Sequence, residues 1–171
     1  MFSAAFSIIA GLMLCAEPPG EKRSDEGATP RKPHPLAPSL PETTKEEENK
    51  FEQIIDRFIL ADTGKLKGPE HKQAMEDFNK LPPESIFALI RGMNKAAKID
   101  HSCPALTIAK RIHKQLRTSN DIDLLTFSRQ NIGAGVERSQ HADAIKDLRL
   151  AIAKRISTVS SAAPPVIRGP Q

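Results

Sequence analysis

The densest chemical feature of the sequence is cationic. Arg91, Lys95, Lys98, Lys110, Arg111, Lys114 and Arg117 follow one another with Asp100 as the only acid between positions 91 and 117. On a helix, Lys110, Lys114 and Arg117 share one face at i, i+4 and i+7. If the segments carrying these residues pair as an antiparallel hairpin, the set could bind an anionic polymer, a lipid headgroup or an acidic protein through ion pairing. The plainer alternative is a solvated face whose cations sit favourably near helix C-termini.

A second group is Asp100, His101 and Cys103. A thiolate ahead of a helix, beside a histidine, is how a nucleophilic cysteine is activated, which would make a thiol- or metal-dependent enzyme. No residue that would orient His101 is identifiable. Zinc would need two more ligands, and His71, His113 and His141 occur singly. The expectation is therefore structural: Cys103 fills a gap between helices, and Asp100 or Ser102 caps one. No catalytic set, metal site, cofactor or small-molecule substrate is expected. Asp62-Thr63-Gly64 spells the aspartic-protease triplet, but no second copy exists to share the proton. It reads as an Asp at a helix end followed by a terminating Gly. Asn131-Ile132-Gly133-Ala134-Gly135-Val136 contains G-x-G without the third Gly and follows a helix, so it predicts a tight turn and no dinucleotide loop.

The elements that must position these residues are helical. Phe51, Ile54, Ile55, Phe58 and Ile59 make one apolar stripe behind a Thr44/Glu47 capping box. A second helix opens at Pro69 and stops before Pro82-Pro83, and Pro83 opens a third. Pro104 opens a fourth, with Ile108, Ile112 and Leu116 inward. Asn120 caps a fifth, and Ser139 caps a sixth with Ile145, Leu148 and Ile152 inward. The fold class predicted is all-α: six helices as three antiparallel hairpins, starting near positions 45, 83 and 121. That spacing suits a HEAT-like α–α superhelix; a plain helical bundle is the alternative. The chain has no Trp, no Tyr and seven Phe, a palette for helix packing that leaves few rings for stacking on nucleic acid or sugar.

Outside the helical domain, residues 43–157, the chain reads differently. Residues 1–16 hold an uncharged apolar run of signal-peptide length, too short for a spanning helix, so export to the periplasm or the extracellular space is expected. A lipid anchor on Cys15 is the minor alternative, although the bulky Leu14 departs from the lipoprotein pattern. Residues 17–42 carry seven of the fourteen prolines and read as a disordered linker. Residues 158–171 read as a disordered tail. The net charge of +4 permits anionic partners without requiring them.

Three segments, DTGKLKGPE (62–70), LIRGMNKAAKIDHSCPALTIAK (89–110) and NIGAGV (131–136), resemble an uncharacterised bacterial family of exported HEAT-like helical domains. The likeness spans about residues 51–149. It implies the fold and export, and it carries no activity or site residues with it. The function expected is an exported interaction or scaffold module with a protein partner, since stacked hairpins expose broad surfaces. The alternatives are an anion-binding module on the third and fourth helices and, less favoured, the enzyme centred on His101 and Cys103.

Overall fold

A computed structural model describes residues 31–99, 103–136 and 139–162. The expected leader, and residues 17–30 of the expected linker, lie outside this set. The described chain is all-α apart from one small hairpin.

Helix α1 (Lys45–Asp62) begins where its capping box demands: Thr44 Oγ1 accepts from the Glu47 amide at 3.2 Å, and Glu47 accepts from the Thr44 amide at 3.0 Å. It stops at Gly64, whose φ of 74° only glycine adopts readily. The Gly64 amide donates to Ala61 O and the Lys65 amide to Leu60 O, the paired bonds of a Schellman stop. Helix α2 (Gly68–Asn79) folds back on α1, with Phe58 stacked on Phe78 at 3.8 Å between ring centres. A 3₁₀ turn (Pro83–Ser85) leads into α3 (Ile86–Ala96). Helix α4 (Pro104–Leu116) opens on its proline and pairs with α3; α5 (Ile122–Asn131) pairs with α6 (Ala142–Ala162). The three hairpins are thus present. They are joined by contacts of α1 with α3 and of α4 with α6.

The core is centred on α3. Ile86, Phe87, Ala88, Leu89, Ile90, Gly92, Met93 and Ala96 are all buried, so this helix is covered on nearly every side. Gly92 sets how closely α1 approaches, because a Cβ there would collide with Ile55 Cγ2. At the far end, Asn94 ties α3 to the α5–α6 turn. Its amide nitrogen donates to Asn131 O, and its oxygen accepts from the Gly133 amide, both at 2.8 Å.

Three expectations need correction. Residues 31–42 are not a disordered linker. They form an antiparallel hairpin of β1 (Pro33–His34) and β2 (Ala37–Pro41) around a Pro35-Leu36 turn. The prolines sit in a lone two-stranded ribbon where missing donors are tolerated. Burial decides the outcome: Ala37 is fully enclosed, and the His34 ring stacks on Phe87 at 4.2 Å. The hairpin is fastened at both ends, by Arg31 to Glu47 of α1 at 2.9 Å and by the Ser39 amide to Asp121 Oδ2 at 2.9 Å. Residues 158–162 of the expected tail are helical, since α6 runs on to Ala162, and residues 163–171 lie outside the described set. The Ser157, Thr158 and Ser161 hydroxyls donate to carbonyls four residues back within α6, the local bond these side chains make when they sit inside a helix. The caps shift as well. Asp121, not Asn120, caps α5 through the Leu124 amide. Ser139 accepts from the His141 amide in a turn before α6 starts.

Both carboxylates that fasten the hairpin are held below their ordinary pKa. For Asp121, burial pushes up, but hydrogen bonds from the Leu124 amide, from Ser39 and from the Asp123 amide outweigh it. For Glu47, the Thr44 amide is the main cause, with Arg31 adding to it. A depressed carboxylate stabilises the fold above its unfolded value, and that stability goes as pH falls through the folded value. The Ser39 amide should therefore lose hydrogen-exchange protection as pH drops below about 4, ahead of the α3 amides. In Asp121→Asn this pH step should disappear.

At the α1–α3 crossing, alanine is the better helix former by about 1 kcal/mol. Crowding against Ile55 costs roughly 1–3 kcal/mol. Gly92→Ala should lower the Tm, and adding Ile55→Leu, which removes the β-branched methyl, should recover part of the loss.

Candidate functional site

The seven expected cations do not form one patch. Arg91 and Lys95 lie on the side of α3 that faces α1 and are engaged there. Arg91 Nε donates to Glu52 at 2.7 Å with Glu48 at 3.5 Å, and Lys95 Nζ lies 2.7 Å from Asp56. Lys98, past the end of α3, lies beside the Gly135 turn.

Arg111 turns inward and works as structure. Its guanidinium donates to Leu81 O at 2.6 Å and Asn79 O at 3.3 Å, and lies 5.1 Å from the centre of the Phe78 ring. It closes the chain that leaves α2, and burial lowers its pKa. Lys110, Lys114 and Arg117 are left on the outer side of α4, exposed and without an ion pair to any described residue.

Two of these three line a furrow between α4 and α6. At one end is a cavity of about 390 Å³, floored by Leu106 and Ala109 of α4 and by Ala144, Leu148 and Ala151 of α6. Lys110, His113 and Asp147 rim it. A further cavity of about 280 Å³ continues it along Leu116, Ile152 and Thr158, with Arg117, Lys154 and Arg155 as its charged wall. The two share His113 and Ala151 and so adjoin along the α4–α6 seam.

The furrow follows from side-chain size. The α4 stripe of Ile108, Ile112 and Leu116 is buried, as are Ile145, Leu148 and Ile152 of α6. Next to these stripes, facing each other, stand alanines. Methyl groups cannot fill the space between two helix ridges, so the seam stays open. Ala109 reads from the sequence as inward-facing core, while Leu106, Ala144, Ala151 and Lys154 are not singled out by it. For the alanines the only signal is their place beside each isoleucine stripe, which also fits simple helix propensity. Arg155 is partly occupied, donating to Ser119 O and to Asn120 Oδ1.

The other candidate chemistry fares as follows. Cys103 is exposed, which overturns its expected role as a gap filler. It holds the N-cap position of α4 without a side-chain capping bond, and its carbonyl accepts from the Leu106 and Thr107 amides. Pro104 and Ala105, not Cys103, are the buried residues there. Asp100, His101 and Ser102 lie outside the described residues. His71 and His113 are exposed on separate helices, while His141 is buried before α6. No cluster of three metal-ligating side chains occurs among the described residues. Asp62 ends α1 inside the Schellman stop, and Gly133 and Gly135 turn the chain between α5 and α6 with φ of 81° and 74°. A hollow of about 510 Å³ between α5 and α6 sets Arg129, Lys146 and Arg149 against Asp143. No helix among the described residues is long and apolar enough to cross a membrane.

The split between structural and free cations is testable at Arg111. Lysine cannot supply two donors in the guanidinium's fork geometry. Arg111→Lys should lose about 1–3 kcal/mol of stability, read by urea denaturation, and leave binding at the furrow intact. Unchanged stability with impaired binding would return Arg111 to the ligand face. No known protein family, curated protein or solved structure matches this chain.

Proposed function

We propose that this chain is an exported, non-enzymatic interaction module that holds a protein partner in the α4–α6 furrow. One observation carries this reading. On α3 the cations Arg91 and Lys95 are matched by acids of α1, whereas on α4 an apolar channel lies open beside Lys110 and Arg117, which have no described counterpart. An uncovered apolar floor rimmed by charge has the composition of a protein-binding surface. The export rests on the apolar run of residues 1–16, and the superhelical arrangement of the hairpins on their spacing and on the likeness of segments 62–70, 89–110 and 131–136 to HEAT-like domains. A second reading, an anionic polymer or lipid headgroup on Lys110, Lys114 and Arg117, draws on the same unpaired cations but leaves the apolar floor without a purpose.

The test is positional. A photo-reactive side chain placed at Ala109 or Ala151 of the intact chain should, in the cell of origin, trap a protein adduct of discrete mass. The same group at Lys72 on α2, which is exposed, should trap none. Equal labelling at both faces, no adduct at either, or an adduct of nucleic acid or lipid would each overturn the reading.

A further inference from the structure

Resting on that reading, we infer that the furrow seats one acidic amphipathic helix of a partner protein, its apolar stripe on the alanine floor and its carboxylates against both walls. The dimensions match a single helix. From Ala144 to Thr158 the α6 wall rises about 21 Å, roughly four turns. The floor is deepened by Ala109, Ala144 and Ala151, and the cavities of about 390 and 280 Å³ follow each other along it. Apolar residues one and two turns apart on an incoming helix would enter these in succession, the helix-in-groove mode.

Charge decides the partner's chemistry. Lys110 and Arg117 line the α4 side and Lys154 the α6 side, so an incoming helix would meet cations on both flanks. Among the described residues Asp147 is the single acid lining the furrow, and it lies at the end lined by Leu106. The complement is an apolar stripe between two acidic flanks, with its acids concentrated toward Arg117 and Lys154.

The other occupants fit less well. Nucleic acid would bring bases in need of stacking surfaces, and among the described residues His113 is the one ring along the furrow, with no Phe beside it. A bilayer is flat, and this surface is concave. In a second copy, the acid-rich helix α1 has Glu47, Glu48, Glu52 and Asp56 already bonded to Arg31, Arg91 and Lys95, and it buries its own apolar stripe.

The experiment is fluorescence anisotropy of the full chain with a labelled helical peptide of about sixteen residues, long enough for the channel. The peptide carries leucines at i, i+4, i+7 and i+11 and glutamates on both flanks. It should bind, and more weakly as salt is added. Lys110→Glu/Arg117→Glu/Lys154→Glu changes exposed side chains only. It should keep the helical circular dichroism, weaken binding about tenfold or more, and gain affinity for the same peptide with lysine in place of glutamate. Ala151→Phe, filling the floor, should also block binding with the charges intact.

Equal binding of a scrambled peptide of the same charge, or of heparin, would overturn the inference in favour of a plain polyanion surface. Equal binding of vesicles containing anionic lipid would overturn it in favour of a membrane. A concentration-dependent dimer abolished by the triple variant would overturn it in favour of a second copy. Protein adducts at Ala109 and Ala151 with no peptide binding would sink this inference and leave the interaction reading standing. Absence of adducts sinks the interaction reading itself.

Discussion

The burial of α3 is the constraint on which the rest of the structure depends. Eight of its eleven residues are buried, and its neighbours are fixed by different devices. A missing side chain at Gly92 admits α1, Phe87 receives the His34 ring, and Asn94 hydrogen-bonds both Asn131 and Gly133. Each buried Ile, Leu, Phe or Met contributes about 1.5–3 kcal/mol, so the hairpins are organised by what they add to this one helix. The polar contacts of Asn94 contribute less in free energy and more in register, because each of its amide atoms has a single partner at a defined height.

That arrangement also sorts the charges. Cations on α3 emerge only along its narrow exposed edge, where α1 presents acids at matching heights. Exposed pairs of this kind contribute little to stability, but they match each cation with an acid across the α1–α3 surface. Helix α4 differs. It contains no acid, its inner stripe is consumed by α3, and α6 meets it across small residues. The cations of its outer face and the open seam beside them are two results of the same packing. Arg111 shows the contrast within one helix: it lies next to Lys110 in sequence, yet its guanidinium is drawn inward by two carbonyls that the end of α2 leaves unpaired.

The N-terminal hairpin is a strap over this core. It packs on the buried side of Phe87 and is tied to α1 through Glu47 and to α5 through Asp121, two carboxylates that also cap those helices. One charged group thus serves a helix N-terminus and a tertiary contact together, so local and global order are coupled at both sites.

Much of the helical framework was legible in the residues: the Thr44/Glu47 box, the Gly64 stop, the proline at the head of α4, and isoleucine stripes at helical spacing. These are local signals, decided within one or two turns. The hairpin at residues 31–42 was not legible, because proline-rich chain is extended whether it is solvated or docked. Only Phe87, far along the sequence, supplies the surface that docks it. The same holds for charge. Residues 91–117 determined that cations would crowd two adjacent helices. Which of them are matched, which is half-buried and which line an apolar furrow was decided by tertiary structure alone, because the partners of Arg91 and Lys95 lie on α1, the carbonyls that hold Arg111 lie at and beyond the end of α2, and the opposite wall of the furrow is α6.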